Sequence, residues 1–350
     1  FYHPEEPSSV RPLLSFEYDA KNNLVGVYDA LNAPYRFFYK NDKLVQHTDR
    51  NGLSFYYAYD SDQKNAKCIH AWGDGGLYDY HFEFQANHTD YTDSLGNKKS
   101  LYYNENNLPF IESDALGIVS KYEYDDAGRT TAVIDGNGNR TEYAYDDSGN
   151  LTKLTRADGT ALSIDYDQNS NPVCVTDPNG NKWRQKWNDR YRLISQTAPL
   201  GGKTEYRYDG FGQLERVIDP RHFVSQAKTD GYGNLKAFAD PLGNVSRFEA
   251  DAFGNITKET SAGGRTTKYD YDAKSRLVKI VNPSGTEVEC AYDAEDNLIR
   301  YKDEAGHVTQ LFYKGLGEVS RRINADGTET RYERDTEEQL VAVINERGQK

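Results

Sequence analysis

One slot recurs every 21 residues along most of this chain, and that spacing constrains the fold more than any other feature. Aligned on the second aromatic of a Tyr-x-Tyr-Asp unit, it falls at Tyr103, Tyr124, Tyr145, Tyr166, Trp187, Tyr208, Thr229, Ala250, Tyr271, Tyr292, Tyr313 and Arg334, twelve copies in a row. Earlier copies stand at Tyr18, Tyr39, Tyr59 and Phe84, spaced by 21, 20 and 25 residues, with 19 more to Tyr103. About 16 copies thus cover nearly all of the 350 residues. Fourteen residues after the anchor, Gly occupies 11 of the 12 regular copies, His222 being the exception. Two residues before it, 11 of the 12 are apolar or aromatic, with Gln185 the exception. A fixed period of this length marks a repeat array, so length is not converted into a count of globular domains. Residues 1–14 read as a lead-in and 15–350 as the array, with an irregular insertion at about 66–82.

Each slot has a physical reading. In Thr141-Glu-Tyr-Ala-Tyr145, Thr141, Tyr143 and Tyr145 share one face of a strand while Glu142 and Ala144 face the other way. Asp-x-x-Gly-Asn follows, as in Asp147-Ser-Gly-Asn150, and reads as a turn, because Asp caps its own backbone and Gly accepts positive φ. A second strand starts at the aliphatic slot (Leu151, Leu214, Ile256, Leu298), and a second turn closes the unit, as in Asp177-Pro-Asn-Gly-Asn181 and Asp240-Pro-Leu-Gly-Asn244. Each unit is thus one β-hairpin, and successive hairpins form an antiparallel meander. Leu151 and Leu154 break strict alternation in the second strand, and a bulge there is one explanation.

The expected fold is all-β: about 16 hairpins, hence about 32 strands, in one long ribbon. At about 4.8 Å between strands it runs on the order of 150 Å, and six-residue strands make it only about 20 Å wide. Open twisted sheets rarely exceed about ten strands without curling, so the ribbon is expected to coil into a spiral shell. One closed turn has a diameter of roughly 50 Å, from the same spacing. A 100-residue domain, with a radius of gyration near ~13 Å, would fit inside such a shell. A tight β-helix fits less well, because the aliphatic slots are few and each unit carries two turns.

Composition narrows function. The net charge of -13 opposes binding to phosphate backbones and to anionic membranes. The 28 Tyr suit a sheet with one wet side, the ring buried and the hydroxyl hydrated. Cys68, Cys174 and Cys290 are three in number and far apart, which disfavours a disulfide framework or a zinc knuckle. Cys290, in the apolar slot before an anchor, reads as a buried inert thiol. No secretory signal or 18-residue apolar stretch occurs, and a chain without Met that opens on Phe1 reads as an excerpt of a longer polypeptide.

No catalytic, cofactor or metal residues are assigned. Most carboxylates fall in turn slots. Asp135-Gly-Asn-Gly-Asn139 resembles the start of a calcium loop, but Arg140 and Asp146 stand where Gly and Glu belong. His3, His47, His70, His81, His88, His222 and His307 show no metal-binding spacing, and neither a nucleophile elbow nor a phosphate loop is present. The segment Ala66–Phe82 breaks the period and reads as an elaborated loop, with a contact to another region of the array or a binding site as the other readings.

The pattern Tyr143 to Leu151 followed by Asp158-Gly159 closely resembles the YD repeats of the Rhs family, and Trp72–Tyr78 resembles an early shell region of bacterial Rhs proteins. The superfamily includes polymorphic toxins, C components of insecticidal toxin complexes, wall-associated proteins and teneurins. The resemblance implies a β-cocoon that encloses a C-terminal toxic domain of the same polypeptide. It also implies delivery in competition between bacteria, by type VI secretion, from the cytoplasm to the outside, with a secretion spike protein or chaperone as further partners. No delivery domain, toxin domain or terminal core box is visible in this chain. The self-cleaving core of the family uses closely spaced DPxG boxes, whereas here Asp177 and Asp240 lie 63 residues apart in ordinary turn slots and receive no protease role. The alternative function is a carbohydrate- or surface-binding repeat module, against which stands the scarcity of Trp: Trp72, Trp183 and Trp187.

Overall fold

In the computed structural model, residues 12–350 are described, so His3 and most of the expected lead-in lie outside the described residues. Among the described residues, thirty-two strands, β1 (Leu14–Tyr18) to β32 (Leu340–Ile344), succeed one another in antiparallel pairs, two per repeat. One short 3₁₀ turn, Asp74–Gly76, is the only helical element among the described residues. The chain divides into two compact units. One contains the described residues up to Glu83, Tyr91–Asn97 and Phe248–Lys350; the other contains Phe84–Asp90 and Lys98–Arg247.

Within the second unit, one repeat shows how the hairpin is built. Strand β13 (Arg140–Tyr145) pairs with β14 (Leu151–Thr155) through Glu142↔Thr155, Tyr143↔Leu154 and Ala144↔Lys153, and then skips to Tyr145↔Leu151. Thr152 is the extra residue of a β-bulge. Its hydroxyl donates to the carbonyl of Ala144, 3.1 Å away. The bulge explains the broken alternation: with one residue looped out, Leu151 and Leu154 fall opposite Tyr145 and Tyr143 on one face. The same shift precedes anchors Tyr166, Trp187, Tyr208, Thr229, Tyr271, Tyr292, Tyr313 and Arg334. It survives where the anchor is Thr or Arg, so it belongs to the backbone design rather than to the aromatic ring.

Both turns of a repeat use the same five-residue closure. In the first, the Asp125 N–H donates to the Arg129 carbonyl and the Gly128 N–H donates to the Asp125 carbonyl. In the second, Asp177 and Asn181 with Gly180 do the same. The fourth residue is left-handed, as in a three-residue loop ending in a G1 bulge; φ is +77° at Gly128 and +81° at Gly180. The leading carboxylate completes the turn. Asp146 Oδ1 accepts the N–H groups of Ser148 and Asn150, and Oδ2 accepts the Asn150 side-chain amide. The capping residue is therefore Asp146, directly after the anchor, and not Asp147. Hydrogen bonds from Asn150, side chain first and then backbone, hold the Asp146 carboxyl below its ordinary range. Asp135, Asp167, Asp177 and Asp240 are held down by the equivalent asparagines. His222, the sequence exception in the glycine slot, keeps the same turn at φ +66°.

Among the described residues, seven anchor hydroxyls bond a carbonyl rather than water, contrary to the composition argument. Tyr145, Tyr166 and Tyr208 each donate to a carbonyl 15 residues back, on Thr130, Leu151 and Leu193, at 2.9 Å. Trp187 Nε1 reaches the Pro172 carbonyl in the same way at 2.7 Å. In the other unit Tyr59, Tyr292 and Tyr313 bond Leu44, Leu277 and Leu298. Each acceptor is the first residue of the second strand of the preceding repeat, or in the case of Leu44 its second residue. The anchor therefore joins consecutive repeats, and its indole substitute works because it too carries a donor.

Few side chains are fully enclosed. Among the described residues the buried apolar ones are Leu77, Ala132, Val288 and Ala342. Cohesion therefore comes from ladder, turn and anchor bonds repeated along the array more than from a packed interior.

Three outcomes follow from this construction. His222→Gly should stabilise the chain, and Gly243→Ala destabilise it, each by about 1 kcal/mol in urea unfolding, because only glycine adopts the left-handed region without steric cost. Tyr208→Phe should cost about 1 kcal/mol by removing one hydrogen bond while keeping the ring. The capping aspartates have lowered values when folded, so their contribution is complete above the unfolded value near ~4 and is lost as pH falls through the lower folded values. Circular dichroism should accordingly show an acid transition below about pH 4, and replacing several capping Asp by Asn should flatten it.

Candidate functional site

The period break is where the first unit departs from plain repetition. Strand β5 (Ser54–Tyr59) pairs with β6 (Cys68–Gly73), and β7 (Tyr80–Phe84) follows the 3₁₀ turn. Most of the Ala66–Phe82 segment is therefore strand and tight turn rather than an elaborated loop. Asp74 fixes the turn, its Oδ2 accepting the Ser54 N–H and its Oδ1 the Tyr56 hydroxyl, both at 2.9 Å. Tyr78 holds φ at +45°, uncommon for a bulky side chain, and is pinned there from outside the segment.

That pin lies about 260 residues along the chain. The Tyr78 N–H donates to the Thr336 carbonyl at 2.9 Å, and its hydroxyl to Glu338 Oε2 at 3.2 Å. Tyr80 donates to Glu337 Oε2 at 2.7 Å. The Ser94 N–H and hydroxyl both donate to Glu337 Oε1. Burial, followed by the hydrogen bond to Glu337, pushes the Tyr80 hydroxyl well above its ordinary value. Of the readings offered by sequence, contact with another region of the array is the one the geometry bears out.

The contact extends as a seam inside this unit. The Arg50 N–H donates to Glu295 Oε1 at 2.6 Å, and the Asn51 amide to Asp293 Oδ2 at 2.9 Å. Lys274 Nζ lies 2.9 Å from Asp29 Oδ2, with Arg50 Nε 3.6 Å away on the same oxygen. Burial alone would raise the Asp29 carboxyl, but the Lys274 bond and the N–H groups of Ala33 and Leu31 outweigh it and hold it low. In each case a second-turn edge of an early repeat meets the first turn of a repeat 242 to 245 residues later.

The insertion also assembles a cluster that spacing did not reveal. His70 stands opposite His81 across the β6–β7 pair. Their rings stack with centroids 3.9 Å apart. His70 Nε2 lies 2.6 Å and His81 Nε2 3.4 Å from Asp79 Oδ1. Sequence reasoning missed the trio because cross-strand register decides it; the Asp79-x-His81 spacing was the only local hint. The other candidates stay apart. His47 stacks on Phe55 and bonds the Tyr57 hydroxyl, and burial lowers its affinity for a proton. His88 lies 3.4 Å from Asp90, and His307 3.1 Å from Asp303. Cys68, Cys174 and Cys290 are free and half-buried, and burial raises the Cys68 and Cys290 thiols. Asp135, Asp177 and Asp240 all spend their carboxylates on their own turns.

Lys274→Ala should leave the 5%-exposed Asp29 carboxylate with its two backbone N–H bonds and, as cation, only the more distant Arg50. Breaking such a buried pair costs about 3 kcal/mol, so amide hydrogen exchange should accelerate on both sides of the seam. Exchange within residues 140–166 should not change, and Lys274→Arg should restore most of the protection.

Comparison with known proteins agrees with this architecture. The RHS Repeat family model matches residues 103–139, 124–161, 187–224 and 250–287. A crystal structure of TcdB2-TccC3-TEV matches over 95% of this chain and 21% of its own, with a TM-score of 0.70 at 14% identity. The Tc holotoxin pore of Photorhabdus luminescens matches over 97% of this chain and 20% of its own, with a TM-score of 0.55 at 13% identity. The chain thus spans about a fifth of the length of these structures, and at such identities the likeness is one of fold. With its 21-residue hairpins, capped turns and four family matches, the chain carries RHS repeats across residues 103–161, 187–224 and 250–287.

Proposed function

We propose that this chain is a wall segment of an Rhs-type toxin shell, structural rather than catalytic, that helps enclose a toxic domain carried by the same polypeptide. The observation that carries the reading is the seam. A single-layer sheet whose turn edges bond to repeats about 245 residues further on is built to lie edge to edge against itself. That is what an enclosing wall requires, and a flat binding array does not need it. The comparison with a holotoxin structure supports the same role. Export from a bacterium, with type VI secretion as the route and a spike protein or chaperone as partner, is the delivery that fits such a shell.

Electron cryo-microscopy of the complete polypeptide tests the enclosure. The expected result is a wall with separate protein density inside it, and a downstream domain that resists protease until the wall is opened. A solid sheet stack with no interior space would overturn the reading. Delivery is tested separately by deleting the type VI apparatus in the producing strain, which should abolish killing of neighbouring cells. Specific, saturable binding on a glycan array would favour a surface-binding module instead.

A further inference from the structure

We propose that His70, Asp79 and His81 form a binding site for one divalent late first-row metal ion, with zinc the best fit. Two imidazole nitrogens and one carboxylate oxygen lie within 4.8 Å of one another. This is a borderline-soft donor set suited to zinc and its neighbours, and a poor one for calcium or magnesium. Zinc binds nitrogen and oxygen at about 2.0–2.2 Å, which places two tetrahedral ligand atoms roughly 3.4 Å apart. The His81 Nε2 to Asp79 Oδ1 separation is already 3.4 Å. The His70 Nε2 to Asp79 Oδ1 contact, 2.6 Å, is the hydrogen bond that the ion would replace. To load the ion the His81 ring must swing off the face of His70, because both imidazoles have to present an in-plane lone pair to the same ion, and the exposure of His81 leaves room for that movement.

His70 and Asp79 are held in place independently of any ion, and the exposed His81 is the ligand that moves. His70 is sandwiched between the Trp72 ring, 4.1 Å away, and the His81 ring, 3.9 Å away. Asp79 lies between Tyr78 and Tyr80, both fastened across the seam to the 335–338 turn. Ligands pre-positioned by their surroundings keep more of the binding energy. The His81 side chain is 61% exposed, so an ion has a solvent path and an open fourth position for water. The His88–Asp90 pair is a separate contact. Because Asp79 is tied to the seam, a bound ion would link β6 and β7 to the turn 257 to 260 residues away and stiffen the contact between them.

The test is titration of the full chain with zinc chloride by calorimetry, and with cobalt chloride by visible absorption. One tight site per chain is expected, with the cobalt complex showing the intense bands of tetrahedral coordination. His81→Ala, at an exposed position that the fold tolerates, should weaken binding about tenfold or more. Asp79→Asn should weaken it similarly, while His307→Ala, which removes another His–carboxylate pair, should leave it unchanged. Thermal unfolding should shift upward with zinc in the native chain and not in His81→Ala. Absence of a tight site, or binding by His81→Ala equal to that of the native chain, would overturn the proposal. Should His81→Ala misfold by circular dichroism, His81→Gln serves as the second variant.

Discussion

Most strands among the described residues are entered and left through a five-residue turn that supplies its own closing partners. The leading aspartate holds two backbone N–H groups on one oxygen and an asparagine side chain on the other, as at Asp146 and Asn150. With so little apolar surface enclosed, these turns carry a share of the stabilisation that a packed interior would otherwise supply. They also set the geometry: a loop that ends in a left-handed residue matches the strand twist and fixes how one hairpin leads to the next.

The turn dictates the rest of the repeat. It delivers the second strand one residue out of phase, and the bulge at Thr152 absorbs that residue. The bulge returns both leucines to the face of the tyrosines. The anchor hydroxyl then binds the carbonyl that opens the second strand of the preceding repeat, so a bond conceived as local becomes the joint between units. Turn, bulge and anchor form one device. The bulge persists at Thr229 and Arg334, which lack an aromatic ring, so it belongs to the backbone.

Within the first unit the device accumulates into a contact between distant repeats. The first turns that meet an earlier edge place Lys274, Glu295 and Glu337 at their tips. The insertion adapts one stretch to this contact, replacing a plain turn with Tyr78 and Tyr80, and the same adaptation brings His70, Asp79 and His81 together. Departures from the period are thus where special contacts gather, as consistency between local pattern and global fold leads one to expect.

Much of the fold was legible in the sequence: the period, two strands per unit, the glycine slots and the half-apolar strand face. These depend on interactions spanning at most two repeats, and repetition along the chain makes them visible as phase. The bulge was legible only as broken alternation at Leu151 and Leu154, since backbone register, not side-chain type, places it. The partner of the anchor hydroxyl was not legible, because a carbonyl leaves no mark on the sequence. Least legible were the pairing of Asp29 with Lys274, the grip of Glu337 on Tyr80 and Ser94, and the alignment of His70 with His81. Each occurs once, so no phase reveals it, and each depends on strand register or on twist summed over about twelve repeats. The repeating unit was written into the 21-residue spacing; where that unit meets itself, and what the meeting assembles, only the tertiary structure decided.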